Sequence, residues 1–235
     1  MKKIILGLLL SLSALNANDI YATFTVEPLQ DAKLAFIASG IVSEVNTDIG
    51  SKVKKGAILA VLDNADIKAM LEVSKTALKY AKKDYERQLK IKNLIDEARF
   101  DGVANKYESA KNQLAYQQAL YEKTFLKAPF DGVIYEKDIE LGDAVSGMML
   151  KTVFQIQSLK KRKLILEFDQ KNRNVIKVGS LFTYNIDGDA VTYTGNISKI
   201  YPRANAKSRK IKAEVKSQNF IPGLFGDGYI SVKKK

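Results

Sequence analysis

The chain has 235 residues, 46% of them hydrophobic, which is enough for one to three small domains with cores of their own. It contains neither cysteine nor histidine, so disulfides, thiolate nucleophiles, histidine bases and nearly all designs of zinc or copper site are excluded. The net charge of +12 would suit an anionic partner, but the lysines are spread along the whole chain and indicate solvated surface charge.

The amino terminus has the pattern of a secretory signal peptide. Lys2 and Lys3 precede an apolar stretch over residues 4–15, and small or polar residues follow it. A membrane anchor is disfavoured because a spanning helix needs roughly 20 apolar residues. We therefore predict a signal peptide over residues 1–17, cleaved after Ala17. The protein is then exported to the periplasm, where no nucleic-acid partner is expected.

Two stretches are written alike: ASGIVSEVNTDIGSKVKKG at residues 38–56 and FDGVIYEKDIELGDAVSG at residues 130–147. Val42 corresponds to Ile134, and the other matched positions have the same spacing, so this is an internal repeat without a gap. Apolar and polar residues alternate and glycines stand where turns are needed, so each copy is predicted to be half of a small β unit. The predicted turn positions are Gly40, Gly50, Gly56, Gly132, Gly142 and Gly147.

Residues 63–126 have a different composition, with no proline, one glycine and many strong helix formers. Two antiparallel helices are predicted, capped at the start by Asp63 or Asn64, reversing within residues 93–102 and reaching roughly 45 Å from the β unit. A compact helical domain is the alternative, but the apolar seams are narrow and half polar, which favours a lone hairpin. The seam positions alternate at spacings of four and three, as in coiled coils. They are Ile67, Leu71, Ser74, Leu78, Ala81, Tyr85 and Gln88 on the first helix, and Val103, Tyr107, Ala110, Leu114, Gln117 and Tyr121 on the second.

The predicted tip of the hairpin combines Leu94, Ile95 and Phe100 with charged neighbours. Exposed apolar side chains at the far end of an arm indicate a docking surface. The alternative is that these side chains close the turn against each other.

Short alternating runs resume after residue 160, separated by turn signals such as Asp187-Gly188 and Pro222-Gly223. Five or six such strands within residues 161–235 predict a small antiparallel barrel. An amino-terminal strand within residues 18–36 is predicted to join the barrel region. The predicted fold class is α+β, mostly β with a long helical hairpin.

Four segments, in this order, resemble the periplasmic adaptor proteins, or membrane fusion proteins, of bacterial tripartite efflux systems of the resistance-nodulation-division type. The segments are GIVSEVNTDIGSKVKKGAILAVLD, LKAPFDGVIYEKDIELGDAVSG, IYPRANAKSRKIKAEV and PGLFGDGYI. The resemblance implies a lipoyl-like β domain in two halves, residues 37–62 and 127–160, interrupted by an α-helical coiled-coil hairpin over residues 63–126. The β-barrel follows over residues 161–235. No catalytic residue, cofactor or metal is implied.

The resemblance also implies partners. They are an inner-membrane transporter, an outer-membrane channel and further copies of the chain, six in the family's tripartite pumps. The implied role is to bridge the two membranes for export of amphiphilic toxic compounds, with the protein peripheral to the inner membrane. A soft-metal site is poorly supported, because beyond the signal peptide the chain offers only Met70, Met148 and Met149 as sulfur ligands.

For the hairpin tip, the family commonly carries an arginine, a leucine and a serine at fixed spacing. With Leu89 in the leucine place, Tyr85 stands in the arginine place and Asp96 in the serine place, while Arg87 is two residues off. Asp96 brings a charge where the family has a neutral hydroxyl. The residues expected at the channel-docking tip are Tyr85, Arg87, Leu89, Leu94, Ile95, Asp96 and Phe100.

On the barrel, Arg209 occupies a place where relatives commonly carry a threonine-arginine pair, and Ser208 precedes it here. Many relatives continue beyond the barrel into a membrane-proximal domain. Because this sequence stops after the barrel, we expect transporter contacts on the barrel, at Arg203, Ser208 and Arg209. A role in fixing the barrel edge is the alternative for these residues.

Two other functions remain to be weighed. A lipoyl or biotinyl carrier needs a lysine at the apex of a tight turn between the two halves, and the helical insertion occupies that place. A periplasmic scaffold or adhesin that uses the hairpin to bind an unrelated protein is the other alternative.

The carboxy terminus ends in three lysines, Lys233–Lys235. They could approach anionic headgroups or form a solvated tail.

Overall fold

The computed structural model describes residues 19–218 and 220–232, with the backbone alone at Gln218. The predicted signal peptide and Lys233–Lys235 lie outside these residues. The described chain forms two compact units: residues 30–159 make one, and the segments on either side of them make the other. Within this part of the chain, no helix is both long and apolar enough to cross a membrane.

The first unit contains eight strands and a helical hairpin. Its strands are β2 (Asp31–Leu34), β3 (Gly40–Val45), β4 (Lys52–Val53), β5 (Ile58–Leu62), β6 (Phe125–Lys127), β7 (Gly132–Lys137), β8 (Ala144–Val145) and β9 (Phe154–Ser158), and its helices are α1 (Ala65–Lys90) and α2 (Glu97–Glu122). The second unit consists of β1 (Ile20–Pro28), β10 (Lys161–Asp169), β11 (Leu181–Ile186), β12 (Thr192–Ala204), β13 (Lys210–Gln218) and β14 (Phe225–Ile230). Short 3₁₀ turns occupy Lys92–Leu94 and Gln170–Asn172. The predicted fold class, mostly β with a long helical hairpin, is confirmed.

The internal repeat folds into two four-stranded sheets that exchange a strand. One sheet has the order β2-β9-β7-β4 and the other β6-β5-β3-β8, so β4 of the first copy pairs with β7 of the second, and β8 of the second pairs with β3 of the first. Each copy donates an equivalent backbone hydrogen bond to the other. Gly50 N donates to Ile134 O at 2.8 Å, and Gly142 N donates to Val42 O at 2.9 Å. Val42 and Ile134 are buried at the equivalent positions of the shared core.

The turns that permit this exchange depend on glycine. Gly50 and Gly142 have φ of 85° and 90°, a left-handed backbone that side chains with a Cβ rarely adopt. The other predicted turn glycines lie in other loops or at strand ends. Gly56, between β4 and β5, has φ 83°, and Gly40 and Gly132 begin β3 and β7. Gly147 follows β8 and lies against the backbone of Ile37.

The boundary after the amino-terminal strand differs from the prediction. We expected residues 18–36 with the barrel, but the division falls after Leu29, and β2 pairs with β9 of the lipoyl-like sheet. A side-chain network holds β2 there, since the Tyr135 hydroxyl donates to the Asp31 carboxylate at 2.9 Å. Partial burial, followed by this bond, raises the pKa of Tyr135 to about 12. The four-residue strand gave too short an alternation to assign it to a sheet from sequence.

The two helices pack along the predicted seams. All the predicted seam positions are buried or half-buried, with Leu71, Ser74 and Gln117 among the most buried, and most other helix positions are exposed. Paired strands hold the base of the hairpin: Leu62 N donates to Thr124 O at 2.9 Å, and Asn64 Nδ2 donates to Thr124 Oγ1 at 2.9 Å. The helices therefore leave the sheet side by side, as antiparallel neighbours.

The second unit is a closed barrel in which β1 completes the circle. The strand order is β1-β10-β13-β12-β11-β14, and β1 pairs with both β10 and β14. Inside, Phe24 packs edge-on against Phe182 and Tyr184 at ring-centroid distances of 5.8 and 5.1 Å. Gly226 makes room for this ring, because a Cβ there would lie 2.5 Å from it. The predicted antiparallel barrel is confirmed.

Substitution of one turn glycine tests the strand exchange. We expect Gly142→Ala to lower the free energy of unfolding by about 1 kcal/mol, because alanine is strained at a left-handed backbone. Gly102→Ala is the matched control: Gly102 lies in α2 with open space around it, and alanine should stabilise the helix by about 0.5–1 kcal/mol. Urea denaturation followed by far-ultraviolet circular dichroism measures both. A stabilising effect of Gly142→Ala would contradict the argument.

Candidate functional site

The tip of the hairpin is closed by an aromatic cluster. The Tyr85 ring stacks on Tyr107, with centroids 5.1 Å apart, and contacts Phe100 at 5.7 Å. Phe100 is only 8% exposed, and Lys92 Nζ lies 4.8 Å above the centre of its ring. Phe100 packs on Tyr85 at the turn, whereas the alternative interpretation expected Leu94, Ile95 and Phe100 to pack against each other.

Asp96 caps the second helix. Its carboxylate accepts a hydrogen bond from Arg99 N at 3.3 Å, and its carbonyl accepts from Phe100 N at 3.1 Å. This satisfies backbone donors that the first turn of a helix would otherwise leave unpaired. The charge that the sequence places where the family has a serine thus has a structural task in the turn.

The apolar residues between the helices remain in solvent. Leu94 is 84% exposed, and Leu89 and Ile91 are 47% and 41% exposed, while Ile95 is half-buried. Arg87 is exposed and pairs with Asp84 one turn earlier on the same helix. The outer surface of the tip is therefore formed by Leu89, Ile91 and Leu94. Sequence analysis omitted Ile91, although its apolar side chain three residues beyond Gln88, the last seam position, was a usable signal.

A second apolar stripe runs along one side of the hairpin. Met70, Val73 and Tyr80 on α1 are 54%, 62% and 60% exposed, and Tyr116 on α2 is 58% exposed. Each lies one position before a seam residue, so in an antiparallel pair these positions share the same side. Sequence analysis missed this stripe because it stands directly beside the seam and reads as part of the same apolar pattern.

The predicted barrel residues lie on or beside the turn that joins β12 to β13. Asn205 organises the turn, since its side-chain oxygen accepts from Lys207 N at 2.9 Å and from Ser208 N at 3.0 Å. Arg209 follows with φ 56°, a left-handed conformation for a residue with a side chain. The side chains of Arg203, Ser208 and Arg209 are all exposed, so the structure brings these three residues together at one end of the barrel.

Beside this turn lies an open groove of about 450 Å³. Its charged lining consists of Arg203, Lys207, Lys210, Lys212 and the single carboxylate of Glu167. Lys210 and Lys212 lie 3.7 and 3.6 Å from Glu167. The groove therefore carries more positive than negative charge and can attract anionic groups.

One tyrosine in the wall of the groove is bound tightly. The Tyr201 hydroxyl donates to Glu214 Oε1 at 2.7 Å, and this bond together with partial burial raises the pKa of Tyr201 to about 12. The phenol is therefore neutral at physiological pH. The bond fixes the Glu214 carboxylate beside the groove wall and leaves its negative charge in place.

In the lipoyl-like unit, the loop after β8 is the most exposed apolar segment. Met148, Met149 and Leu150 are 94%, 77% and 68% exposed. Among residues 19–218 and 220–232, no group of three or more histidine, cysteine, aspartate or glutamate residues is placed to hold a metal ion.

Comparison with known proteins assigns these features to a family. The family model described as "CzcB-like, barrel-sandwich hybrid domain" matches residues 31–157, which is more than half of the chain. The chain is 27% identical over 208 residues to the cobalt-zinc-cadmium resistance protein CzcB of Cupriavidus metallidurans. That alignment covers 80% of this chain and 40% of CzcB, so the chain spans well under two thirds of this relative's length.

Solved structures share the fold at low sequence identity. A MacA-MexA chimera that contains the α-hairpin domain of Pseudomonas aeruginosa MexA superposes with a TM-score of 0.83 at 19% identity, covering 92% of this chain and 81% of the chimera. ZneB from Cupriavidus metallidurans superposes with a TM-score of 0.56 at 16% identity, covering 92% of this chain and 98% of ZneB. The chain therefore belongs to the CzcB-like barrel-sandwich hybrid family of membrane fusion proteins.

Proposed function

We propose that this chain is the adaptor subunit of a tripartite efflux pump, bridging an inner-membrane transporter of the resistance-nodulation-division type and an outer-membrane channel across the periplasm. The observation that carries the proposal is the exposed apolar tip of a narrow two-helix arm. A helix of 26 residues is roughly 39 Å long, so the tip lies far from the sandwich at its base. Leu94 is 84% exposed, so it contributes little to the packing of the hairpin and is available for contact with a partner.

The docking end is proposed to be the surface of Leu89, Ile91 and Leu94. The aromatic cluster beneath it fixes the turn, so docking costs little conformational entropy. Asp96 and Arg87 flank this surface, and each already has a partner within the hairpin. We therefore expect apolar contact, with polar residues at its edge, to hold the channel.

Self-association is proposed to use the second stripe, with another copy of the chain as the occupant. The two helices differ in charge: α1 carries seven cations and four carboxylates, while α2 carries three cations and four carboxylates. Packing α1 of one copy against α2 of the next joins unlike charges and covers Met70, Val73 and Tyr80. Such a contact is head-to-tail and closes into a ring when the rotation permits it. We propose six copies.

For the cargo, the names of the relatives favour divalent transition-metal cations. Two curated relatives, both 27% identical over 80% of this chain, are named for cobalt-zinc-cadmium resistance and for cation efflux. Amphiphilic toxic compounds, implied by the resemblance to adaptors in general, are the second candidate. In either case the transporter supplies the energy, and this chain supplies the bridge.

Docking at the tip is tested by photo-crosslinking in living cells. A photoreactive residue replacing Leu94 is expected to capture an outer-membrane channel protein, because this position is the most exposed apolar one at the turn. The matched control replaces Thr76, exposed on the side of α1 away from α2, and should capture little channel. If the Leu94 probe captured only proteins other than an outer-membrane channel, the docking proposal would be wrong.

The second stripe is tested by charge insertion. Val73→Glu with Tyr80→Glu should abolish assembly measured by sedimentation velocity, because it buries carboxylates against an α2 helix whose own carboxylates outnumber its cations. Ala69→Glu with Thr76→Glu adds the same charge on the outer side of α1 and should leave assembly unchanged. Equal effects of the two variants would assign the change to net charge and contradict the stripe.

The cargo is tested by deleting the gene and restoring it. Deletion should raise sensitivity to cobalt, zinc and cadmium several-fold, with growth in bile salts and cationic dyes unchanged. Restoration with the wild-type gene should reverse the effect, and restoration with a Leu94→Asp variant should fail if docking is required. Sensitisation to bile salts and dyes alone would instead select amphiphilic cargo.

A further inference from the structure

One end of the barrel collects positive charge from two loops. The ends of β10 and β12 and the starts of β11 and β13 all lie there, so the loops at residues 170–180 and 205–209 meet. We call the cations on and beside these loops the basic rim: Lys171, Arg173, Lys177, Arg203, Lys207, Arg209 and Lys210. The strand ends at Pro28 and Lys161 lie at the opposite end of the barrel.

The two loops are joined into one surface. Gln170 N donates to Arg209 O at 3.0 Å, which ties the first loop to the β12–β13 turn. Asp169 caps the start of the 3₁₀ turn by accepting from Lys171 N at 2.8 Å. Ile176, only 1% exposed, anchors the middle of the first loop in the barrel core. The cations of the rim are therefore presented by a fixed backbone.

Most of the rim's charge is not neutralised. Lys171 lies 3.8 Å from Asp169, and Lys210 lies 3.7 Å from Glu167. The other five cations of the rim form no ion pair within the described part of the chain. Among the described residues, the further carboxylates near the rim are Asp19, beside the start of β1, and Glu214, which accepts from Tyr201 in the groove wall.

One other groove of the barrel has the opposite sign. A groove on the outer wall, about 430 Å³ in volume, is lined by Glu27, Glu167, Asp187 and Asp227, with Lys212 as its single cation. The two grooves share Glu167 and Lys212, so the acidic surface adjoins the cationic one. The excess of positive charge at the rim points to a partner that carries negative charge and meets the barrel end-on.

Two apolar side chains stand among the rim cations. Val175 and Val178 are 53% and 64% exposed in the loop between Arg173 and Gly179. They flank the buried Ile176, so the loop presents apolar groups outward on both sides of its anchor. Cations that surround exposed apolar groups are typical of surfaces that adsorb to a lipid headgroup region.

We propose that the basic rim binds the anionic phospholipid headgroups of a membrane surface. Arg203, Lys207 and Lys210 line the cationic groove of about 450 Å³, which offers a concave place for a phosphate, and the two valines enter the interface beside it. An acidic protein surface would pair with the cations, whereas a lipid headgroup region would pair with the cations and also bury the two valine side chains. We therefore favour the membrane. The inference does not rest on the efflux function, because neither transporter nor channel takes part.

The test is co-sedimentation of the full chain with vesicles. Wild type should bind vesicles of phosphatidylcholine mixed with phosphatidylglycerol, bind pure phosphatidylcholine vesicles weakly, and release as salt is raised. The rim variant combines Arg203→Gln, Lys207→Gln and Arg209→Asn, the last chosen because asparagine tolerates the left-handed backbone. Loss of three cations should lower the partition coefficient by roughly 10- to 100-fold.

The matched control removes three exposed cations from the lipoyl-like unit, which the proposed self-association does not use: Lys33→Gln, Lys54→Gln and Lys55→Gln. It has the same net charge as the rim variant and keeps Lys233–Lys235, as does the rim variant. Binding by the control close to wild type supports the rim. Equal losses in both variants, or no binding of wild type to the anionic vesicles, would overturn the proposal. Intact circular dichroism of the rim variant is required for the comparison to count.

Discussion

The structure depends on the reciprocal strand exchange between the two copies of the repeat. Each copy is too short to bury its own apolar face, and β4 and β8 have only two residues each. Gly50 N and Gly142 N close equivalent bonds to the other copy, and Val42 and Ile134 then fill one core. A β unit of this kind is stable only when both copies are present, which explains why the sequence is written twice.

The exchange also decides where the hairpin emerges. Since β5 and β6 are neighbours in one sheet, the chain leaves at Leu62 and returns at Phe125 on adjacent strands. The helices need no loop to bring them together, and Thr124, only 1% exposed, ties the base by bonds to both sides. The pairing of β5 and β6 therefore sets the spacing at which the two helices start.

The arm itself has little apolar core. Leu71 and Phe100 are its only apolar side chains below 9% exposure among the described helix residues, and Ser74 and Gln117 occupy other central seam positions. Its order therefore relies on the two ends, the sheet at the base and the rings of Tyr85, Phe100 and Tyr107 at the tip. A long arm held at both ends and thin between them presents its sides, as well as its tip, to partners.

Sequence reasoning reached the elements whose signals are periodic. The repeat predicted the two sheet halves, the four-three spacing predicted both helices, and alternating runs predicted the barrel. It missed features set by pairing over long distances. The β2 strand joins β9 about 120 residues away through contacts such as Tyr135 to Asp31 that no local pattern encodes. The basic rim is divided between two loops that only the barrel closure brings together, so its cations looked evenly dispersed along the chain.

The two candidate contact surfaces use different physics, and this separates their roles. The tip exposes Leu89, Ile91 and Leu94, and its contacts with a partner are proposed to be apolar, so they should persist as salt rises. The basic rim relies on cations at the surface, whose attraction falls once the Debye length shrinks below about 10 Å near 0.1 M salt. Each surface belongs to a different compact unit. Ionic strength can therefore weaken one contact without loosening the other, and a shift in salt becomes a means of assigning any binding event to its surface.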